Sequence, residues 1–178
     1  KILRKCREID GLLTPEVFRW DKERAAIHME YVDDITVAES LVSSDLSEDS
    51  LGKVLFEVGA AIGMLHRHNI IHGDLTASNF MVQSEPTPIS SAKARVYVID
   101  FGLAFVSSTA EDRAVDLYAF ERCLASLCQT DASQDIGEHP WVIRAYEGYQ
   151  STSGDEFCVT MRRLDQVRQR GRKRSMVG

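Results

Sequence analysis

The sequence lacks the features of several protein classes. It has only four cysteines, with no CxxC pair and no metal-ligand spacing, which argues against a disulfide framework or a structural zinc site and favours reduced thiols in an intracellular compartment. No apolar run approaches the ~20 residues that a membrane-spanning helix needs, so we predict no membrane partner. The 178 residues are 44% hydrophobic and 27% charged, which is ordinary for one globular domain with its own core.

The charge is unevenly distributed along the chain. The formal net charge is −6, yet the segment from Arg162 to Gly178 holds seven basic residues and one acidic residue. A basic end on an acidic body indicates an anionic partner for that end.

Apolar periodicity and turn residues predict an α+β chain. Two apolar runs at 17–20 and 25–32 flank a charged tetrapeptide and predict a β-hairpin. Residues 47–68 predict the clearest helix, with Ser47 as its N-cap and apolar residues at helical spacing from Leu51 to Leu65. Residues 94–99 predict a strand that pairs with residues 81–82. Further helices are predicted at 2–9, 34–42, 112–127, 141–149 and 157–169, a surface turn at 84–93, a loop at 150–155 and a flexible or bound tail after 171.

Three short motifs occur in a fixed order and carry the functional signal. They are MEYV at residues 29–32, HGDLTASN at 72–79 and VIDFG at 98–102. The second and third resemble the catalytic loop (His-Arg-Asp-x4-Asn) and the metal loop (Asp-Phe-Gly) of protein kinases. Each motif alone is a common turn, but their joint order and spacing favour a kinase-like site.

The chemistry of phosphoryl transfer explains these residue types. Magnesium neutralises phosphate charge and prefers hard oxygen ligands, which Asp100 and Asn79 would supply. Asp74 would orient the attacking hydroxyl or water and accept its proton. Gly102 is expected to give the backbone the freedom to turn the Asp100 carboxylate inward.

Further residues follow from the kinase resemblance. The MEYV segment resembles a kinase hinge, in which the backbone of Glu30 and Val32 would hydrogen-bond adenine and Met29 would stand at the back of the pocket. His72 is expected to hold the loop backbone rather than react. For Asp116, two interpretations stay open: a carboxylate bracing the catalytic loop, or an ordinary helix-start carboxylate.

Other kinase parts are missing from the chain. No Gly-rich loop and no Val-Ala-x-Lys motif precede Met29, there is no Ala-Pro-Glu motif, and only ~13 residues separate Gly102 from Asp116. Since Lys1 is not a natural first residue, we expect a fragment that lacks most of the N-terminal lobe, with a short pseudokinase as the alternative. The expected fold is protein-kinase-like, α+β, and mostly the helical C-terminal lobe. Residues 1–32 would be a remnant of the N-terminal lobe and hinge, 33–169 the C-terminal lobe and 170–178 a basic tail.

With these kinase parts missing, the sequence resembles one family, the small atypical serine/threonine kinase of the KEOPS (EKC) complex. This kinase is known in animals as PRPK and is related to the RIO kinases. The resemblance is carried by HGDLTASN, IDFGL at 99–103, EDRAVDLY at 111–118 and RGRKRSMVG at 170–178. It implies ATP and magnesium as cofactors. It also implies protein kinase and ATPase activity that supports threonylcarbamoyladenosine formation on transfer RNA.

The same resemblance implies partners. The C-terminal lobe would contact the threonylcarbamoyl-transferring subunit, and the N-terminal lobe would contact a small regulatory subunit. The basic tail would contact tRNA phosphates. The expected compartments are the cytoplasm and the nucleus. Two alternatives stay open: a small-molecule phosphotransferase of the aminoglycoside or choline kinase type, which shares the HGDLxxxN pattern, and a scaffold subunit with a vestigial site.

Overall fold

The computed structural model of the chain describes residues 1–43, 46–83, 94–128 and 136–175. The helices are α1 (Ile2–Cys6), α2 (Val37–Val42), α3 (Glu48–Arg67), α4 (Ala110–Leu127), α5 (Pro140–Ser153) and α6 (Glu156–Ser175). The strands are β1 (Val17–Asp21), β2 (Ala26–Met29), β3 (Ile35–Thr36), β4 (Ile70–Ile71), β5 (Phe80–Gln83), β6 (Arg95–Val98) and β7 (Phe105–Val106).

The described strands form three small antiparallel sheets. The hairpin β1–β2 stands alone, β3, β5 and β6 form a three-stranded sheet with β5 at its centre, and β4 pairs with β7. In the central sheet Met81 lies opposite Tyr97 and Val82 opposite Val96. The predicted pairing of residues 81–82 with the strand at 94–99 is therefore confirmed.

Helix α3 forms the centre of the core, as its sequence predicts. The Ser47 hydroxyl accepts a hydrogen bond from the Ser50 amide at 3.2 Å and caps the helix. The apolar face predicted from helical spacing is buried. Its buried members are Leu51, Leu55, Val58, Ile62 and Leu65.

Helices α3 and α5 pack against each other with their backbones in direct contact. A Cβ on Gly59 would lie 1.7 Å from the Ala145 carbonyl oxygen, so only glycine fits there. The Thr152 hydroxyl donates a hydrogen bond of 2.7 Å to the Ala60 carbonyl. This close packing fixes α3, whose C-terminal end leads directly into β4 and the predicted catalytic loop.

Several boundaries differ from the sequence predictions. Helix α5 continues to Ser153, through most of the predicted loop at 150–155. Helix α6 runs past Gly171 to Ser175, where we expected a flexible or bound tail. Gly171 lies under Tyr118, whose hydroxyl oxygen would be 2.1 Å from a Cβ, so glycine leaves room for this contact. Cys158, near the start of α6, is exposed. The predicted turn at 84–93 lies outside the described residues.

The hairpin β1–β2 has an exposed apolar face. Alternation along the strands places the side chains of Trp20, Ile27 and Met29 on one side, and all three are exposed, as is Phe18 at the irregularity in β1. Among the described residues, no helix is both long and apolar enough to cross a membrane.

Candidate active site

The loop between β4 and β5 holds Asp74 and Asn79 against each other. The Asn79 side-chain amide donates to the Asp74 carbonyl at 2.8 Å and to the Asp74 carboxylate at 3.2 Å. A 3₁₀ turn at Ala77–Asn79 brings the two residues together. Because the Asn79 NH₂ group faces Asp74, its carbonyl oxygen points to the opposite side of the amide, where it can bind a cation.

Asp100 lies at the end of β6, beside this loop. The Ile99 amide donates to the Asn79 carbonyl at 3.0 Å, which extends the β5–β6 pairing to the two site residues. Asp100 is exposed and has a φ of 56°, in the left-handed region that non-glycine residues rarely adopt. Such strain often accompanies a functional position.

The role expected of Gly102 needs correction. Its φ is not positive, and the left-handed turn is made by Asp100 itself. The Gly102 amide donates to an Asp100 carboxylate oxygen at 3.1 Å, and a Cβ on Gly102 would lie 3.0 Å from that oxygen. Glycine is therefore favoured here because the carboxylate comes so close to the backbone.

His72 holds the two loops together, in agreement with the structural role expected for it. The side chain is fully buried, and its Nε2 donates to the Ile99 carbonyl at 2.9 Å. The imidazole packs on the Phe101 ring at a centroid distance of 5.1 Å. The neighbouring Gly73 has a φ of 81° and lies against the Leu103 carbonyl, which a Cβ would approach to 2.5 Å.

Asp116 braces the loop that leads to Asp74. Of the two interpretations of this residue, the structure supports the bracing carboxylate over the ordinary helix-start carboxylate. Its carboxylate accepts the His72 amide at 2.8 Å and the Gly73 amide at 2.9 Å. His66 Nε2 lies 3.2 Å from the same carboxylate. These buried hydrogen bonds fix the backbone immediately before Asp74.

The predicted hinge lies on the way from the hairpin to the central sheet. Met29 is the last residue of β2 and is 44% exposed, on the apolar face of the hairpin rather than at the back of a closed pocket. Glu30 is tied to Glu16, since its amide donates to the Glu16 carbonyl at 2.7 Å and its carboxylate accepts the Glu16 amide at 3.0 Å. Val32 is half-buried and lies three residues before Ile35, which pairs with Val82 in the central sheet.

The sequence analysis missed four residues that support the loop. Cys123 accepts a hydrogen bond from the Ala77 amide at 3.2 Å, and His66, Arg113 and Tyr149 are buried behind Asp116. His66 falls at helical spacing from Gly59 and Ile62, which is a signal for burial on the core face of α3. Arg113 and Tyr149 have no comparable signal, because a charged residue and a tyrosine are both common on helix surfaces.

The basic end of the chain is partly neutralised by the body. Arg163 lies 2.6 Å from the Glu111 carboxylate, to which Arg170 is also paired. Arg168 pairs with the fully buried Glu121. Among the basic side chains that the structure describes in this segment, Arg163, Arg168 and Arg170 therefore have acidic partners on α4.

The site has oxygen atoms that suit magnesium. Two carboxylates and one amide carbonyl, at the end of one β-hairpin, form a set of hard oxygen atoms. Within the described ranges, no group of three or more His, Cys, Asp or Glu side chains could hold a metal ion. Two oxygen ligands from Asn79 and Asp100 suit Mg²⁺, which binds through one or two protein carboxylates or carbonyls together with substrate phosphates.

Comparison with known proteins is consistent with this geometry. Residues 1–130 match the protein kinase domain family. Two solved structures share the fold at 16% identity: WaaP in complex with acyl carrier protein (TM-score 0.63, 92% of this chain and 72% of that chain) and the Rio2 kinase–ADP/Mg²⁺–phosphoaspartate complex from Chaetomium thermophilum (TM-score 0.55, 96% and 52%). The predicted protein-kinase-like α+β fold is confirmed.

Closer relatives are EKC/KEOPS complex subunits. The chain is 34% identical to the one from Schizosaccharomyces pombe (100% of this chain, 69% of the relative) and 32% identical to Tp53rkb from Mus musculus (100% and 69%). It is 43% identical to BUD32 from Yarrowia lipolytica over 79% of this chain, but spans only 50% of that relative. The resemblance inferred from the motifs is confirmed: the chain belongs to the protein kinase family, in the branch of the EKC/KEOPS relatives named BUD32.

Proposed function

We propose that the chain is the nucleotide-hydrolysing, phosphoryl-transferring part of an atypical serine/threonine kinase with ATPase activity. The observation that carries the proposal is the contact of Asn79 with Asp74 beside Asp100 at one end of the β5–β6 hairpin. An acid–base carboxylate and two oxygen ligands at neighbouring positions are what transfer of a phosphoryl group requires.

Each residue has a role in this mechanism. The Asp74 carboxylate orients the attacking hydroxyl or water and accepts its proton. The Asn79 amide keeps Asp74 in place through its NH₂ group and offers its carbonyl oxygen, with the Asp100 carboxylate, to Mg²⁺. When bound, the ion neutralises charge on the phosphates of ATP.

The adenine would bind along residues 29–32. The Glu30 carbonyl and the Val32 amide are the proposed hydrogen-bonding groups, with Met29 as an apolar neighbour. The link of Glu30 to Glu16 supports this assignment, because it holds the backbone of the segment in an extended conformation.

We further propose that the chain acts in a KEOPS complex, as its relatives are named, and supports threonylcarbamoyladenosine formation on tRNA in the cytoplasm and nucleus. The helical lobe would contact the threonylcarbamoyl-transferring subunit, and the N-terminal part a small regulatory subunit. The basic tail at 170–178 would contact tRNA phosphates, and Arg170 of this tail also pairs with Glu111 on α4.

The experiment is magnesium-dependent ATP hydrolysis by the full-length protein, with and without the transferase partner and tRNA. We expect Asp100→Asn to abolish hydrolysis and Asp49→Asn, an exposed acidic residue on α3 paired with Lys53, to leave it unchanged. Hydrolysis that responds to aminoglycosides or choline instead of partner and tRNA would favour a small-molecule phosphotransferase. A full-length protein that is inactive under every condition would favour the scaffold alternative.

A further inference from the structure

Five buried side chains from four helices form a ring of polar groups behind the catalytic loop. Arg113 Nε donates to the Thr160 hydroxyl at 3.0 Å, and the Thr160 hydroxyl acts on the neighbouring Tyr149 phenol as a donor, which lowers the pKa of that phenol against the larger effect of burial. The Tyr149 hydroxyl lies 3.1 Å from His66 Nδ1, and His66 Nε2 lies 3.2 Å from the Asp116 carboxylate. Arg113 and Asp116 are both in α4, so the ring closes on that helix.

The chemistry of the two ends determines where the protons lie. A guanidinium can only donate and a carboxylate can only accept. Each group between them has one proton to donate, so the hydrogen bonds all run in one direction, from Arg113 through Thr160 and Tyr149 to His66 and Asp116. Bonds aligned in this way polarise and strengthen one another.

This direction assigns the tautomer of His66. Its Nδ1 accepts the Tyr149 proton and its Nε2 carries the proton donated to Asp116. Burial raises the pKa of Tyr149 to about 12, which keeps the phenol protonated. Burial also lowers the pKa of His66, although Asp116 acts in the opposite direction, and a neutral imidazole is what the ring requires.

The charged and polar groups that face His66 are consistent with a neutral imidazole. They are Asp116 and Arg113 from α4, Tyr149 from α5 and His72 from the loop. Arg113 is only 2% exposed and its charge is met by the Glu156 carboxylate, with a further bond of 3.1 Å to the Ser108 carbonyl. The Asp116 carboxylate accepts hydrogen bonds from the His72 and Gly73 amides, so its charge is stabilised without a second proton on His66.

We propose that Tyr149 and Thr160 are positioning residues for the loop that holds Asp74, because they orient the neutral His66 imidazole toward Asp116 and thereby fix the carboxylate that binds the His72 and Gly73 amides. Asp74 follows Gly73 directly, so its placement depends on helices α5 and α6 as well as on its own loop. The consequence for turnover rests on the proposed function; the tautomer and the order of the loop do not.

The first test is ¹⁵N NMR of the histidine rings in the full-length protein. We expect His66 to show the Nε2–H tautomer at neutral pH, and Tyr149→Phe to shift the Nδ1 resonance while Nε2 keeps its proton, because only Nδ1 loses its partner. Tyr146→Phe is the matched control, since it removes a buried hydroxyl of the same helix that donates to Glu121 and not to the ring. A wild-type His66 that is charged or carries its proton on Nδ1 would overturn the proposal.

The second test compares two substitutions at Thr160, whose side chain is fully buried. Thr160→Val keeps the shape and removes the hydroxyl, whereas Thr160→Ser keeps the hydroxyl. We expect Thr160→Val to lower kcat for ATP hydrolysis about tenfold with KM for ATP unchanged, because small misplacements of a reacting group slow the chemical step. Thr160→Ser should restore most of this loss.

Amide hydrogen exchange separates this inference from the proposed function. We expect the His72 and Gly73 amides to exchange faster in Thr160→Val than in Thr160→Ser, whether or not the protein hydrolyses ATP. Failure of hydrolysis in the wild type would contradict the proposed function alone. Equal exchange in the two variants would contradict the positioning role.

Discussion

Gly148 in α5 lies against the main-chain carbonyl of Phe56 in α3, where a Cβ on Gly148 would come 1.8 Å from the Phe56 oxygen. The reverse contact occurs at Gly59, whose absent Cβ leaves room for the Ala145 carbonyl. Both obstacles are backbone atoms, so no rotation of a side chain can relieve them. The two helices can therefore pack this closely only with glycine at both positions.

Gly148→Ala should lower the free energy of unfolding by about 3 kcal/mol, at the upper end of what overpacking usually costs. Urea unfolding followed by circular dichroism measures this loss. The control is Gly52→Ala, on the α3 side of the same helix pair, where a Cβ would meet the Arg144 Nε at an ordinary 3.6 Å. Alanine is the better helix former by ~1 kcal/mol, so Gly52→Ala should be neutral or stabilising; equal losses at the two positions would contradict the packing argument.

The stability of the fold should fall as the pH drops below about 6.5. Burial lowers the pKa of His66 from its ordinary 6.5, so at lower pH the unfolded chain binds a proton that the folded chain does not. Above 6.5 both states are neutral and the contribution vanishes. Between 6.5 and the folded-state pKa, the loss approaches about 1.4 kcal/mol per pH unit.

Urea unfolding at pH 7.5, 6.5 and 5.5 tests this dependence. His66→Gln should flatten the slope. Burial also lowers the pKa of His139, and His139→Asn, which keeps a side-chain acceptor at the N-cap of α5, should flatten it less. A slope unaltered by His66→Gln would show that another group takes up the proton.

Arg168 should be required for stability in spite of its place in a basic segment. Its guanidinium pairs with Glu121, whose side chain is fully buried and also accepts a hydrogen bond from Tyr146. Removing the cation would leave a buried carboxylate uncompensated, so we expect Arg168→Met to cost about 3 kcal/mol. Arg162→Met, at an exposed position of the same helix, should change the free energy of unfolding by less than about 0.5 kcal/mol. Similar values for the two variants would contradict the assignment.

Local signals made much of the fold predictable. The Ser47 cap and the apolar period located α3 to within a residue at each end, because both signals lie inside the helix itself. The end of α5 was not predictable. Residues 150–155 are polar and indicate a loop, but Thr152 bonds to Ala60 on α3, and this tertiary contact extends the helix.

The candidate site also has a part that the sequence predicts and a part that it does not. The motif spacing predicted that Asp74, Asn79 and Asp100 would lie near one another, since a hairpin joins the loops that hold them. The support behind them was not predictable, because Arg113 and Thr160 acquire their roles from partners about fifty residues apart in the chain. Buried charge can be recognised only when its compensating groups are known.

Two substitutions at Asn79 should separate its two contacts. Asn79→Ala removes both the ligand oxygen and the NH₂ group that holds Asp74, so we expect kcat to fall by about 100-fold and half-saturation to need more Mg²⁺. Asn79→Asp keeps an oxygen ligand and adds negative charge, but places it near the Asp74 carboxylate and loses the donor. We therefore expect Asn79→Asp to lower kcat strongly with no increase in the Mg²⁺ requirement. Titration of Mg²⁺ against ATP hydrolysis measures both quantities. If Asn79→Asp raised the Mg²⁺ requirement as much as Asn79→Ala does, the Asn79 oxygen would not be a ligand.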